Sequence, residues 1–406
     1  METHPPVQLS ISTKAQHGAA TMQNAPGLGL TPPVTPTIDD NVSELGTSFL
    51  SSGSSNNILS PVVAETRLGI KTVAVSSPPH FLDELEYLHD EKGRRIKYGS
   101  GAWSDVYMAE VSPRTSHSTR PITPPSSPKP SSRVVAVKSP GRRDARAVLH
   151  AEALALTRAS SVPDSELYIV PFHGYISDSG SIVMSAIPYA LSTHIEEKAV
   201  FARENLSTRT MLDPVQGMSQ WHDLAKKLIA ALSWLHSSAQ IVHGDIKPHN
   251  ILLRPSGSLE NADSSEFSYE PLFADFSSSH PISASEKPTG TALSAVTPPY
   301  TAPELLRSLS LPDTVLTPDS DVFSLAATLL AAAIGDLHIY SGFNATQRLL
   351  RAKEGHRVIE FARDGDCGAR VPRNGTVEKI LRPAVAKDPV ERIAPSAWLS
   401  LVWGAI

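Results

Sequence analysis

Apolar and polar positions change character along the chain. From residue 1 to about 80, apolar residues are scattered among Ser, Thr, Pro, Asn and Gly. Such a segment cannot bury enough surface to offset the entropy of ordering its backbone, so a disordered arm is expected. From Phe81 onward the pattern tightens. Residues 95 to 111 predict two short strands around the turn Gly99-Ser100-Gly101, and Val134 to Lys138 is a compact β-branched strand. Between them, Ser112 to Ser132 is low in complexity and reads as an expanded hairpin loop. Ala145, Val148, Leu149, Ala153 and Leu156 recur at helical spacing, which predicts a helix over Asp144 to Arg158. Further strands are expected at Leu167 to Phe172 and at Ser181 to Ala186.

Beyond Pro188 the period is mainly helical. Leu224, Leu228, Ile229, Leu232 and Leu235 make Trp221 to Ser237 an amphipathic helix, and Leu316 to Ala333 and Val377 to Trp398 supply more. Residues 336 to 376 are mixed and give no clear pattern, while Pro255 to Ser268 reads as a lengthened surface loop. Strands first and helices afterwards predict an α+β fold of two lobes separated by a cleft. The ordered domain is expected over 81–406, with a small β-rich lobe over 95–187 carrying one key helix and a larger, mainly α-helical lobe over 188–406.

Composition narrows the partners. The formal net charge of -5 gives no global attraction to nucleic acid or anionic membrane, and the basic run Arg142-Arg143 near Lys138 is too short to change that. The single cysteine, Cys367, rules out an internal disulfide and a cysteine-rich metal site, which favours a reducing compartment, cytoplasm and/or nucleus. No apolar stretch approaches a membrane span; Leu325 to Ile334 is short and reads as a buried helix. The first residues lack a basic-then-apolar signal pattern. Thr31, Thr35, Ser60 and Ser77 each precede a proline, as targets of proline-directed kinases do, and as ordinary linkers also do. Nothing in the sequence marks an interface between copies of the chain.

Candidate chemistry appears in four places. Glycines 99 and 101, at a strand turn, let backbone amides approach phosphate oxygens, and Val106 offers an apolar surface to a base; the same residues also suit a plain hairpin. Lys138 ends its strand after that turn and before a helix whose apolar face is punctuated by Glu152. A lysine there can simply mark the solvent edge. Paired with Glu152, it would hold its ammonium against the α- and β-phosphates of a nucleotide, with Asp144 as a competing partner too near the helix start. Asp245, Lys247 and Asn250 fall between apolar segments in a stretch too polar for core. Asp245 can take the proton of an incoming hydroxyl, Lys247 can neutralise a phosphoryl group in transfer, and Asn250 can ligate magnesium. Asp275, after the strand Leu272-Phe273-Ala274, is a second magnesium ligand or an ordinary strand-end acid.

Taken in order, these residues resemble the eukaryotic protein kinase family over about Tyr98 to Trp403. The motifs are the glycine turn, VAVK ending at Lys138, the helix glutamate, HGDIKPHN from His243, DFS from Asp275, APE ending at Glu304, DVFSLA from Asp321 and the late Arg392. The resemblance implies a two-lobed protein-kinase-like fold, ATP and Mg2+ as cofactors, and a protein substrate. It implies Asp245 as catalytic base with Lys247 beside it, Asn250 and Asp275 as metal ligands, and Lys138 paired with Glu152. Gly99, Ser100, Gly101, Val106, Ala136 and Met184 would line the nucleotide pocket, with Ser185 to Ile187 linking the lobes. Glu304 would pair with Arg392, and Asp321 would brace the loop around Asp245. Lys247 in its DIKP context is similar to the serine/threonine class.

Three departures stand out. Gly244 replaces the arginine that in the family couples the catalytic loop to a phosphorylated activation loop, which makes Thr289, Thr291 and Thr297 weaker candidates for switches. Ser277 replaces the glycine of DFG, and Ser104 the third glycine of GxGxxG. None removes a catalytic group. The expected function is ATP-dependent phosphorylation of protein serine or threonine. The alternatives are a pseudokinase scaffold and a kinase-like enzyme acting on a small molecule, against which the APE segment speaks.

Overall fold

The computed structural model describes residues 77–112, 133–256, 267–282, 297–308 and 315–404. All lie in one compact unit, Lys71–Ile406. Of the disordered arm expected to about residue 80, the part up to Ser76 lies outside the described residues, as does the insert over 113–132, while the Pro79 carbonyl accepts from the Tyr175 amide at 2.8 Å.

The upper lobe is an antiparallel sheet. Strands β1 (Glu84–Tyr87), β2 (Lys97–Ser100), β3 (Ser104–Ser112), β4 (Arg133–Pro140), β5 (Phe172–Ile176) and β6 (Ser181–Ser185) take the order β1-β3-β4-β6-β5, with β2 also on β3. The nine residues of β3 allow this double pairing: β1 takes its second half and β2 its first. The sheet therefore opens ahead of residue 95, because β1 lay in a segment whose charged residues hid its alternation. Side chains alternate across the pleat of β4. Val135 and Val137 join Ala109, Val111 and Val183 in a small apolar cluster, which leaves Ala136 and Lys138 for the opposite face. Helix α1 (Ala145–Ser160) buries Ala145, Val148, Leu149, Ala153 and Leu156, and Glu152 lies in the same buried stripe.

The strand expected at Leu167 to Phe172 is displaced. Ser165–Leu167 is a 3-10 turn, and β5 starts only at Phe172. The residues between serve another partner, the lower-lobe strand β9 defined below. Val170 N donates to the Phe273 carbonyl at 3.0 Å, and Phe273 N to the Tyr168 carbonyl at 2.9 Å. Tyr168 also stacks on Trp234, with ring centroids 5.1 Å apart. An apolar β-branched run signals extended backbone without naming its partner.

The lower lobe is mainly helical, with α2 (Leu191–Glu204), α3 (Met218–Ser237), α4 (Pro303–Ser308), α5 (Pro318–Ile334), α6 (Ala345–Lys353), α7 (Val358–Arg363), α8 (Thr376–Leu381) and α9 (Pro395–Trp403). Its short strands pair as β7 (Ile241–Val242) with β10 (His280–Pro281), and β8 (Ile251–Pro255) with β9 (Tyr269–Phe273). Helix α5 is the axis: every residue from Ser320 to Ile334 is buried. Thr317 caps its start in a reciprocal box with Ser320, and Gly335 ends it in the left-handed region. The Trp221 indole donates to the Leu329 carbonyl at 2.9 Å, locking α3 onto α5. Among the described residues, no helix is long and apolar enough to cross a membrane.

Arg392 ties the end of the lobe to its middle. Its guanidinium grips both carboxylate oxygens of Glu304 at 2.7 Å and donates to the Asp319 carbonyl at 2.9 Å. Its side chain is wholly buried, while that of Glu304 keeps 27% exposure. Replacing Arg392 by Met should cost about 3 kcal/mol, the lower end for breaking a buried pair, because water can still reach the abandoned carboxylate. Urea denaturation checks this; an unchanged midpoint would contradict it.

Candidate active site

The cleft between the lobes begins with one ammonium group. Lys138 Nζ lies 2.7 Å from both carboxylate oxygens of Glu152 and 2.8 Å from Asp275 Oδ1. Asp144, the competing partner, instead pairs with Arg142 at 2.8 Å on the surface. Burial works against the Lys138 ammonium, but the Asp275 and Glu152 carboxylates outweigh it and hold its pKa above the ordinary lysine value. Burial likewise works against the Asp275 carboxylate, and Lys138 reverses the balance, leaving its pKa below the usual range.

Asp275 sits at φ 61°, a left-handed conformation that Asp tolerates better than most residues. The turn it makes sends the Phe276 amide to Glu152 Oε1 at 3.2 Å and buries the Phe276 ring 4.8 Å from the ring of His243. His243 Nε2 donates to the Ala274 carbonyl at 3.1 Å, and its Nδ1 accepts from the Asp245 amide at 3.3 Å. Burial lowers its pKa, so the imidazole is neutral with its proton on Nε2.

The loop after β7 hangs on Asp321. Its carboxylate accepts from the His243 amide at 2.7 Å, the Gly244 amide at 2.9 Å and His236 Nε2 at 3.0 Å. Gly244 has φ 82°, and a Cβ there would stand 2.6 Å from Leu316 Cδ1 and 2.7 Å from the Ser278 carbonyl oxygen. The residue missing from the family pattern is therefore one for which this fold has no room. The loop delivers Asp245, whose Oδ2 accepts from Lys247 Nζ at 2.7 Å and Asn250 Nδ2 at 2.9 Å. Lys247 reaches on to Thr297 Oγ1 at 3.2 Å. Burial, helped by the Asp275 charge and opposed by Lys247 and Asn250, pushes the Asp245 carboxyl up to about 6.

These groups face a cleft of about 640 Å3. Gly99, Ser100, Gly101 and Val106 form its upper edge, with Ala136 and Lys138 behind. Strand register explains the grouping: Val106 is paired with Lys138, and Ala136 with Met184, which lines the same cleft beside Ser185 and Ile187. Asp245, Lys247, Asn250 and Asp275 line the opposite side, while Glu152 stands behind Lys138 and outside the lining. Leu252, Ala274 and Thr297 also line the cleft and were not read from sequence as cleft residues. Leu252 follows Asn250 in an apolar run, and only the β8–β9 register shows which of its leucines is aimed here. Asn250 commits its NH2 to Asp245, which leaves its Oδ1 for a cation. With the Asp275 carboxylate this is a hard-oxygen donor set. It suits magnesium, which takes few protein ligands and completes its shell from phosphates and water.

The protein kinase domain family model matches residues 129–403, a span that starts after the glycine turn. The chain is 31% identical over 185 residues to the serine/threonine-protein kinase PknK of Mycobacterium tuberculosis, covering 44% of this chain and 15% of that protein. It is 29% identical over 183 residues to the serine/threonine-protein kinase ISR1 of Saccharomyces cerevisiae, covering 44% and 39%. With the serine/threonine-protein kinase PrkC of Bacillus subtilis the identity is 26% over 206 residues, covering 51% and 27%. The chain thus spans well under two thirds of the length of each of these relatives.

Gly244→Ala should lower stability by about 1–3 kcal/mol, from positive-φ strain and the Leu316 and Ser278 clashes together. It should also weaken nucleotide binding, because the loop holding Asp245 and Asn250 shifts. Thermal melting and nucleotide titration of the variant check this; a parent-like melt would show that the loop gives way freely.

Proposed function

The chain belongs to the protein kinase domain family, and we propose that it is an ATP-dependent serine/threonine kinase acting on proteins. The observation that carries the reading is the Asp245 carboxylate. It is buried, pushed up to about 6, and flanked by Lys247 and Asn250 in the cleft that also holds Lys138 and Asp275. A base with a pKa near the working pH takes a hydroxyl proton efficiently.

Bound Mg-ATP supplies the phosphoryl group and a cation that spreads its charge. The chain supplies position and field. Lys138, braced by Glu152, would neutralise phosphate oxygens, and Asn250 and Asp275 would hold the magnesium. Asp245 receives the proton of the substrate serine or threonine as that oxygen bonds to the γ-phosphorus and the bond from phosphorus to the departing nucleoside diphosphate breaks. Lys247 holds positive charge beside the transfer, and Thr297 steadies it. The scaffold reading rests on Ser277 in place of glycine and on the long, low-complexity N-terminal arm. Asp275 and Phe276 keep their contacts to Lys138 and Glu152 beside that serine, which supports the catalytic reading.

Transfer from labelled Mg-ATP to a protein and peptide panel tests the proposal. Asp245→Asn should lower kcat by about 10²–10⁴-fold or more with nucleotide binding kept. For the parent, kcat should fall as pH drops through about 6, where Asp245 becomes protonated. A carboxyl whose folded pKa is raised costs folding free energy once both states are ionised, so at pH 7.5 Asp245→Asn should melt no lower than the parent. Nucleotide binding without transfer from the parent would move the assignment to the scaffold.

A further inference from the structure

A second recess, sharing no residue with the cleft, lies on the upper lobe. It measures about 580 Å3 and lies between the β1–β2 link, the end of β4, the start of α1 and the β5–β6 turn. Arg95, Arg142, Arg143 and Arg146 line it, and no carboxylate does. Three hydroxyls complete the lining. Ser179 Oγ donates to Ser181 Oγ at 2.9 Å, which donates to Ser139 Oγ at 3.0 Å, and the Ser139 hydroxyl donates to no other group among the described residues.

Two of the guanidinium groups rest on aromatic rings, and the stem of a third arginine is packed. Arg95 lies 3.9 Å above the Tyr87 ring, and Arg142 lies 4.2 Å above Trp103 while pairing with Asp144. The stem of Arg146 crosses Gly180, where a Cβ would come within 3.1 Å of its Cγ; the glycine makes room for the arginine. Arg143 and Arg146 have no ion pair among the described residues. They also flank the start of α1, where the carboxylate of the N-cap residue Asp144 is taken up by Arg142. A further anion beside Arg143 and Arg146 is favoured there by their charge and by the helix dipole.

We propose that this recess binds the phosphate of a phosphorylated serine or threonine in a peptide segment. A phosphate dianion offers three acceptor oxygens to several planar guanidinium forks at once, which a single carboxylate cannot match. The site is concave and confined to one recess of a chain with net charge -5, unlike a broad basic face laid on a membrane. The segment can come from this chain, which carries Thr31, Thr35 and Ser60 ahead of prolines, or from another protein. Gly141 and Arg142 follow Lys138 closely, and Arg146 and Glu152 share α1. An anion bridging Arg95 to Arg143 and Arg146 ties the start of α1 to the sheet and holds Glu152 on Lys138. Faster transfer in the occupied state rests on the kinase reading; the binding itself does not.

Fluorescence anisotropy of a labelled phosphothreonine peptide with the full chain tests the site. The phosphorylated peptide should bind at least tenfold more tightly than its unphosphorylated form, and the double variant R143A/R146A should lose at least tenfold while melting no lower than the parent. Phosphorylating the full chain on its own Ser/Thr-Pro sites should block uptake if the segment is internal; undiminished uptake places it on another protein. Equal binding by the double variant, equal binding of the unphosphorylated peptide, or displacement by inorganic phosphate at peptide concentrations would overturn the proposal. So would tighter binding of phosphoinositide vesicles, which would assign the recess to a membrane. Peptide binding intact with no phosphoryl transfer would sink the kinase reading and leave the site standing.

Discussion

The geometry of the cleft depends on one buried ammonium. Charges taken out of water are costly, and the Lys138 ammonium is tolerable only because two carboxylates from two different segments meet it. That necessity joins β4, α1 and the turn after β9 at a single point. Glu152 also receives the Phe276 amide, so the same contact fixes where the Phe276 ring packs and hence where His243 lies. Remove the ammonium and the buried Glu152 carboxylate is left facing the half-exposed carboxylate of Asp275.

A second anchor works from below. The Asp321 carboxylate takes three donors, from α3 and from two successive amides of the loop that carries Asp245. It stands in the first turn of α5, where the helix dipole favours a negative charge, and α5 is buried from Ser320 onward. The loop is thus suspended from the least movable helix of the lobe. Asp245 can be held in surroundings that disfavour its charge because its backbone has no freedom to retreat toward solvent.

Much of this was legible in the chain. Glu152 declares itself as a lone acid on an apolar helix face, Asp245 and Asn250 as polar residues at fixed offsets between two apolar segments, and Lys138 and Asp275 by their place in the order of motifs. Asp321 and Arg392 follow from the resemblance, since nothing local separates them from ordinary helix and turn residues. Leu252 and Thr297 were hidden for the opposite reason: they are ordinary residues in ordinary places, and only strand register and loop closure bring them to the cleft. The strand read over Leu167 to Phe172 shrinks to a bridge at Ile169, since the residues before it turn and pairing is a tertiary fact. The short helices α6 and α7 escaped notice because nine and six residues give too few turns for a period to emerge among glycines and charges.

The pairing of Tyr168 and Val170 with Phe273 has a mechanical consequence. It fastens the two lobes along a line beside the end of α1, reinforced by the stacking of Tyr168 on Trp234. A rotation of the lobes about that line would leave these contacts intact, and travel would grow with distance from the axis, as for a door on its jamb. Residues 168–170, at the joint, would move least. A ligand can therefore enter and leave while the joint itself stays fastened.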